Sequence, residues 1–434
     1  MAEITPTQEQ LDAVEMVLNN RFSILTGKPG TGKTFTLILI LNTVSKKSGM
    51  SFALAAPTGK AAKRMMESTG DHAQTIHKLL EPKKSPYGGF YFSRDTANPI
   101  DTDLVIVDEA SMIDTNLFHS LLSAIDPTKT KLLLIGDPGQ LPSVGPGAIL
   151  RDLLKNEFIA RTELTKIHRY AGTLVEACAD IHAGRMYIPA KKIDLEAEKP
   201  VNLVHVEIGS PDRIQHAIEE IAIVNMANRG FHIENGDVHI ISPVNSKGPL
   251  SCEAINKRMQ FRLNNEGEHQ PYERLSFRNG DKVINTKNMA YYDIEKKAES
   301  SVVNGDIGIM IDVDFDDGSS YVVEFEDPTR TVIIEKAKHH LLHAWCITCH
   351  RFQGSEAPVI IIPVHTSFCY FATRKWIYTA ISRASKICIT VGQLSAIEKM
   401  VRNVSSVKRE TGLFDFMEDA MSDEFEIDEM FAGI

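Results

Sequence analysis

Gly27-Lys28-Pro29-Gly30-Thr31-Gly32-Lys33-Thr34 fits the spacing G-x-x-x-x-G-K-[ST] at every fixed position. Glycines at this spacing let the backbone wrap a phosphate group, so that successive N–H groups point at its oxygens. A lysine at Lys33 reaches the β/γ-phosphates, and the Thr34 hydroxyl ligates Mg²⁺. The pattern therefore predicts a nucleoside triphosphate and Mg²⁺ as ligands. It assigns Gly27, Pro29, Gly30, Thr31, Gly32, Lys33 and Thr34 to the nucleotide, and Thr34 also to the metal. About 75 residues further on, Leu104–Val107 reads as a buried strand that delivers Asp108 and Glu109 at its carboxyl end. Acids so placed suit an Mg²⁺-side carboxylate and a base that activates water. In isolation the same pair is also what a solvent-facing strand end looks like.

The elements around these residues have the right character. Phe22–Thr26 reads as a short buried strand and Phe35–Leu41 as an apolar helix, which is the context a phosphate loop needs. A helix opens before it at Thr7–Val14. A glutamine there, Gln10, can bond an adenine edge, or simply face water as most helix-surface glutamines do. Ser51–Ala56 and Lys131–Ile135 are further apolar strands, ending in Pro57-Thr58-Gly59-Lys60 and Gly136-Asp137-Pro138-Gly139-Gln140. Strands alternating with helices predict a parallel sheet with its ligands at the strand carboxyl ends. A second α/β unit begins near Leu164, with the continuous apolar runs Val238–Ile241, Val359–Ile362 and Ile387–Val391 as its doubly covered strands. Between them, Phe277 to His340 holds turn signals at Arg278–Asp281, Asn304–Asp306 and Asp316–Gly318, separated by short alternating strands. That stretch reads as an inserted β-barrel. Residues Glu81–Ile100, rich in Pro, Gly, Lys and Tyr, read as a small insertion or hairpin.

Composition narrows the class. The 434 residues are enough for two to four domains, and 43% hydrophobic with 24% charged residues is globular. No apolar run reaches the length of a membrane span, and the start has neither a basic nor an apolar leader region, so a cytoplasmic protein without membrane contact is expected. Six cysteines lie in apolar or strand-like stretches, as reduced core thiols do. Cys346-Ile347-Thr348-Cys349-His350 has the form of a c-type haem attachment site, which would require export. The net charge of −10 looks wrong for a nucleic-acid binder, but eight of the acids lie between Asp415 and Glu429. Removing those eight takes the body to −2, which leaves room for a basic groove.

The full series of motifs is more specific than any one of them. Ala55–Ala62, Thr75–Leu80, Asp108–Met112, Gly136–Pro142, Leu164–Arg169, Thr348–Glu356 and Tyr378–Ala384 follow the phosphate loop in order. Together they resemble a superfamily 1 helicase of the RecD/Dda-like branch, from about residue 5 to residue 392. The resemblance implies an α/β protein of two RecA-like parallel-sheet motor domains. The first would span 1–163, with a wedge or pin insertion at 81–100. The second would span 164–265 and 343–400, interrupted by an SH3-like insertion at 266–342, and 401–434 would be an acidic, flexible tail.

It also implies roles. Gln10 would read adenine, Glu356 would bond the ribose, and ATP with Mg²⁺ would be the nucleotide. Asp108 would hold Mg²⁺, Glu109 would be the base, and Gln140 would sense the γ-phosphate. Arg169 and Arg383 would close on it from the second domain, a fitting task for cations that arrive as a cleft shuts. Thr58, His77, Thr348 and His350 would contact strand phosphates, a grip without sequence reading. Cys346 and Cys349 would then be bystanders. Two departures stand out: Arg351-Phe352 where Lys-Ser is expected, which predicts added bulk beside the strand, and Ser382 where Thr is common.

Implied partners are single-stranded DNA and duplex junctions, bound by a monomer moving 5′ to 3′. Phe90, Tyr91 and Phe92 would stack on a base pair or form a packing cluster. The tail, with Phe414, Phe416, Phe425 and Phe431, would recruit a replication or recombination protein, or merely solubilise. The short region before the phosphate loop resembles the compact phage type, whose location would be the host cytoplasm. A translocase or remodeller without unwinding, and RNA as substrate, stay open.

Overall fold

The computed structural model describes residues 5–84, 89–166, 172–264, 276–326, 329–404 and Leu413. They fall into two compact units, divided between residues 169 and 170, with Leu413 in the first.

The first unit runs α1 (Gln8–Asn19), β1 (Phe22–Gly27), α2 (Lys33–Lys47), β2 (Phe52–Ala56), α3 (Gly59–Thr69), β3 (Ala73–Thr75), α4 (Ile76–Leu79), β4 (Pro82–Lys84), β5 (Phe90–Phe92), β6 (Leu104–Val107), α5 (Thr115–Ser123), β7 (Lys131–Gly136), α6 (Ile149–Leu153) and β8 (Ala160–Leu164). Six strands form one parallel sheet in the order β3-β2-β6-β7-β1-β8. Successive side chains of a strand point to opposite faces. Leu104 and Ile106 accordingly join one apolar cluster with Leu37, Ile40 and Met65, while Val105 and Val107 join another with Phe118, Leu121 and Ile149. Cover on both faces is why these strands are apolar without alternation. Leu413 packs against the second of these clusters. A second unit starting at Leu164 needs correction by a few residues: Leu164 pairs with Gly27, so β8 is the edge strand of the first sheet.

The insertion at 81–100 contains an antiparallel hairpin, β4 with β5, in the register Pro82↔Phe92 and Lys84↔Phe90. Residues 85–88 of its turn lie outside the described residues. Its base is clamped by an Arg94–Glu81 ion pair at 2.7 Å and by Ser93 N–H donating to the Glu81 carbonyl at 3.1 Å. Arg94 and Ser93 hold the Glu81 carboxyl below its ordinary range.

The second unit runs α7 (Gly172–His182), β9 (Leu203–Glu207), α8 (Pro211–Glu220), β10 (Val238–Ser242), α9 (Cys252–Leu263), then β11 (Lys282–Asn285), β12 (Met289–Asp293), β13 (Ala298–Val302), β14 (Ile307–Phe315), β15 (Ser320–Phe325), β16 (Arg330–Glu335) and β17 (Leu341–His343), and finally β18 (Cys346–Thr348), β19 (Ala357–Val364), α10 (Arg374–Ile381), β20 (Ala384–Gly392) and α11 (Leu394–Arg402). Its parallel sheet has the order β18-β10-β19-β20-β9. The expected runs at Val238, Val359 and Ile387 are three of these strands, all buried.

Between α9 and β18 sits a seven-stranded antiparallel sheet, β13-β12-β16-β15-β14-β11-β17, around its own core of Val283, Met310, Val323, Phe325 and Val332. The turn signals mark its bends. Gly280, Gly305 and Gly318 all have positive φ, as do Asp316 and Asp317. Buried Asp281 ties this sheet to α9. Its Oδ2 accepts from Gln260 Nε2 at 2.6 Å and pairs with His343 Nε2 at 3.0 Å, and its Oδ1 accepts from Asn264 Nδ2 at 2.7 Å. Within the sheet, Arg330 and Asp306 form a buried ion pair. Among the described residues no helix is long and apolar enough to cross a membrane. Apart from Leu413, the acidic tail beyond residue 404 lies outside the described residues.

Candidate functional site

The phosphate loop joins β1 to α2 through two left-handed glycines, Gly30 (φ 80°) and Gly32 (φ 89°), a conformation that side chains resist. A Cβ on Gly27 would stand 2.5 Å from Thr31 Oγ1, so the loop also needs glycine at its start. Gly32 is the N-cap of α2 and supplies no side-chain acceptor to its first turn. Those N–H groups and the helix dipole are what an anion binds. Lys33 is folded back onto the loop, its Nζ donating to the carbonyls of Gly27 (2.5 Å) and Lys28 (3.3 Å). Thr31 is buried and donates to the Lys28 carbonyl at 2.8 Å, while Thr34 is exposed.

Asp108 and Glu109 follow β6, and the Asp108 N–H donates to the Ala55 carbonyl at 3.0 Å. Burial first, and then the Glu109 charge, push the Asp108 carboxyl up to about 6; the Glu109 N–H and the charges of Lys33 and Arg64 pull the other way. That N–H donates to Asp108 Oδ1 at 2.7 Å, leaving Oδ2 for a cation. A carboxylate and a hydroxyl are hard oxygen ligands of the kind Mg²⁺ takes alongside phosphates. No cluster of three or more His, Cys, Asp or Glu fit to hold a metal occurs among the described residues. Glu109 itself is left-handed at φ 53° and ψ 39°. Such backbone strain in a non-glycine residue persists only where its surroundings enforce it. Gln140 is buried after β7, its Nε2 3.5 Å from Asp137 Oδ2, and buried Asp137 also accepts from the Gly139 N–H at 2.9 Å.

Gln10 is buried rather than facing water. Its Oε1 accepts from the Thr7 N–H at 3.0 Å, and Thr7 Oγ1 accepts from the Gln10 N–H, completing a capping box on α1. An adenine-reading role is thereby narrowed to Nε2. Gln10→Glu keeps the box and loses that donor; Gln10→Ala loses both. Gln10→Ala is expected to cost about 1 kcal/mol of stability. Gln10→Glu buries a carboxyl and so should also lower the unfolding midpoint, but it should weaken ATP binding more than GTP binding, which titration of both nucleotides would show.

Thr58 is the N-cap of α3 at the carboxyl end of β2, its Oγ1 accepting from the Ala61 N–H at 3.2 Å with the hydroxyl proton still to give. His77 is exposed on α4, its ring 5.8 Å from Phe92. Phe92 packs on the core and meets Phe90 edge-on at 5.5 Å, whereas Phe90 and Tyr91 are exposed. The three aromatics are thus one anchor and two surface rings.

In the second unit, Thr348 ends β18 and exposed His350 follows it. Cys346 and Cys349 are fully buried, and burial pushes the Cys349 thiol up to about 12, so the haem pattern belongs to the core. Phe352 corrects the expectation of bulk beside the strand. It is buried, its ring 4.9 Å from His239, because the turn closing on the Thr348 carbonyl carries it inward. Ser382 donates to the Thr379 carbonyl at 2.9 Å, a bond a threonine would make equally. Arg383 is buried rather than solvated, its Nε and Nη1 each 3.4 Å from the carbonyls of Thr379 and Ser355. It and exposed Glu356 precede β20 and β19, and the Ala357 N–H donates to the Arg383 carbonyl. The nucleotide candidates of this unit therefore sit at the amino ends of the strands, with Thr348 at the carboxyl end of β18 and His350 just beyond it.

Arg169 lies outside the described residues. Thr165, four residues earlier, is bonded through its N–H and hydroxyl to Glu9, the neighbour of Gln10. Sequence reading missed Arg64 on α3, whose charge acts on Asp108, and left Asp137 without a role. Arg64 had a signal, lying two residues past the motif Ala55–Ala62 on the helix that Thr58 caps.

Comparison with known proteins decides the family. The AAA-domain family matches residues 5–199, and the UvrD-like helicase C-terminal domain matches residues 343–391. The ATP-dependent RecD2 DNA helicase of Deinococcus radiodurans is 30% identical over 401 residues, covering 90% of this chain and 49% of its own length. The RecBCD subunit RecD of Mycolicibacterium smegmatis is 28% identical, covering 94% of this chain and 74% of its own. This chain belongs to the RecD-like branch of the superfamily 1 helicases. It spans about half the length of the RecD2 relative. The RecD-like fold is shared with the Bacteroides Pif1 helicase, solved with ADP-AlF3 and ssDNA, at a TM-score of 0.56 and 19% identity over 97% of this chain and 98% of that one.

Proposed function

We propose that this RecD-like chain is an ATP-dependent DNA helicase that translocates on single-stranded DNA and couples hydrolysis to duplex separation. The observation that carries the proposal is one sheet edge. The carboxyl ends of β1, β6 and β7 lead into the phosphate loop, the Asp108–Glu109 pair and Gln140, and the end of neighbouring β2 leads into Thr58 at the cap of α3. Strand grip and nucleotide chemistry share one rigid element. ATP with Mg²⁺ supplies the phosphoryl group to be transferred. Lys33 and the first-turn N–H groups of α2 hold its phosphates, Thr34 and Asp108 hold the metal, and the Glu109 carboxylate takes the proton of the attacking water. Arg383, with Arg169, would bring cations to the charge that develops.

DNA as substrate is supported by the names of the relatives, and 5′ to 3′ movement by the family resemblance. The inserted sheet would be the SH3-like cover of the strand, and the chain would act as a monomer with its acidic tail available to a basic partner. The test is ATP turnover with and without single-stranded DNA, for wild type and Lys33→Ala. Low basal turnover, strong stimulation by the strand and near-complete loss in the variant are expected. Brisk turnover indifferent to DNA would sink the motor reading.

Exposed Phe90 and Tyr91 on a clamped hairpin favour true unwinding over bare translocation. Replacing residues 82–92 by a short Gly-Ser link should abolish unwinding and spare strand-stimulated turnover. Unwinding that survives the replacement would show that the wedge lies elsewhere.

A further inference from the structure

A second concave site lies in the second unit, where the inserted sheet meets α9 and β18. It encloses about 370 Å³, within the ~300–1,000 Å³ span of small-molecule sites. Its wall is aromatic. Phe277, Tyr321 and His339 stand with ring centroids 5.6 Å apart in all three pairs, at interplanar angles of 84°, 83° and 74°, so that edges meet faces. Phe277 also lies 4.7 Å from the ring of His343, which is fixed by Asp281, so the wall is anchored to a buried polar network. The mouth is polar. Asn245 and Glu253 are exposed, and the half-buried Arg351 places Nη1 3.2 Å from Asn245 Oδ1.

Three features say what chemistry fits. Burial, and then the neighbouring His340, hold His339 below the usual imidazole range, which favours the neutral ring for stacking. Glu253 repels a phosphate but accepts from an exocyclic amino group, while Arg351 donates to ring nitrogens and carbonyl oxygens. Arg351 directly follows His350, and its N–H donates to the Thr348 carbonyl at 3.0 Å, which sets the mouth one turn from the residues assigned to the strand.

We propose that this cavity is a nucleobase pocket, taking one unstacked base of the bound strand against Phe277, Tyr321 and His339 while Arg351, Asn245 and Glu253 bond its edge. The inference rests on the helicase reading above and adds a site to it. Every base has a π-face, so such a pocket grips without fixing sequence, and a strand leaving it one base at a time gives the motor a register. A free nucleoside offers the same chemistry, so two probes separate the sources.

The first probe is a set of short oligo-dT strands, each with one 2-aminopurine at a different position. The second is free 2-aminopurine nucleoside, which has no phosphate for the loop around Lys33. One strand position is expected to lose emission on binding. Phe277→Leu and Tyr321→Leu should abolish that response and weaken strand binding about fivefold to a hundredfold, the range of one lost base–aromatic stack. Arg351→Ala leaves the wall packed and should abolish the same response, which decides the matter if the ring variants unfold. A strand that stimulates turnover but has no responsive position, or a response that all three variants keep, overturns the pocket and leaves the helicase reading standing. A response to free nucleoside that the strand does not displace overturns the strand as occupant. Failure of the strand to stimulate turnover at all overturns both.

Discussion

Glu109→Gln is expected to lower strand-stimulated ATP turnover by about 10²- to 10⁴-fold, the usual worth of a positioned general base, while ATP still binds. The carboxamide has the shape of the carboxylate but cannot take a proton from water. Position argues for Glu109 over Asp108 as that base. Asp108 Oδ1 is already bonded to the Glu109 N–H, and its carboxyl sits where the Lys33 and Arg64 charges act. Glu109 stands one residue further out, on a left-handed backbone that breaks β6 and turns into the 3-10 segment Ala110–Met112. The variant keeps that backbone and removes a charge that disfavours ionised Asp108, so its unfolding midpoint should stand at or above wild type and any loss of turnover reads as chemistry. Single-turnover hydrolysis and nucleotide titration would be measured together. Turnover within about tenfold of wild type, where a general base should be worth at least 10², would move the base to another residue.

How far the sequence carried this site depended on what kind of signal each residue had. The central strands were plain, since Leu104–Val107, Val359–Ile362 and Ile387–Val391 are buried on both faces and must be apolar throughout. Edge strands were not. Ala160–Leu164 carries Arg161, Thr162 and Glu163 and has a partner on one side only, which is why the first unit looked complete before it. The bends of the inserted sheet were legible because the backbone at Gly280, Gly305 and Asp316–Gly318 needs positive φ, and only a few residue types supply it. The same conformation at Glu109 carried no sign, because glutamate rarely adopts it. Thr7-Gln8-Glu9-Gln10 shows the opposite fault. It has the spacing of a capping box, yet attention to adenine passed over a bond the backbone was bound to make. Phe352 was misread for a similar reason. A departure from a family pattern suggested a change at the strand, whereas an apolar ring beside a buried His239 had simply gone into the core.

Asp108→Asn should abolish hydrolysis and yet stabilise the nucleotide-free protein. A carboxyl raised from 3.8 to about 6 destabilises the folded state at neutral pH by on the order of 2–3 kcal/mol, at 1.36 kcal/mol per unit. The sign follows from proton binding. Between pH 3.8 and 6 the folded chain holds the proton more tightly than the unfolded one, so stability falls as pH rises through that window. The cost is nearly absent below the window and complete above it. Asparagine has no such cost and still accepts from the Glu109 N–H through Oδ1. For a unit of this size the gain corresponds to a rise in Tm of roughly 5–10 °C at pH 7.5, shrinking to about half that at pH 5. Saturating Mg²⁺ with a non-hydrolysable ATP analogue should narrow the gap, because the ligand stabilises wild type more than a variant missing a metal ligand. Melting curves at both pH values, with and without that ligand, test each step. A variant that melts below wild type without ligand at pH 7.5 would mean that the attraction of Lys33 and Arg64 outweighs burial, and that Asp108 holds the fold together as well as the metal.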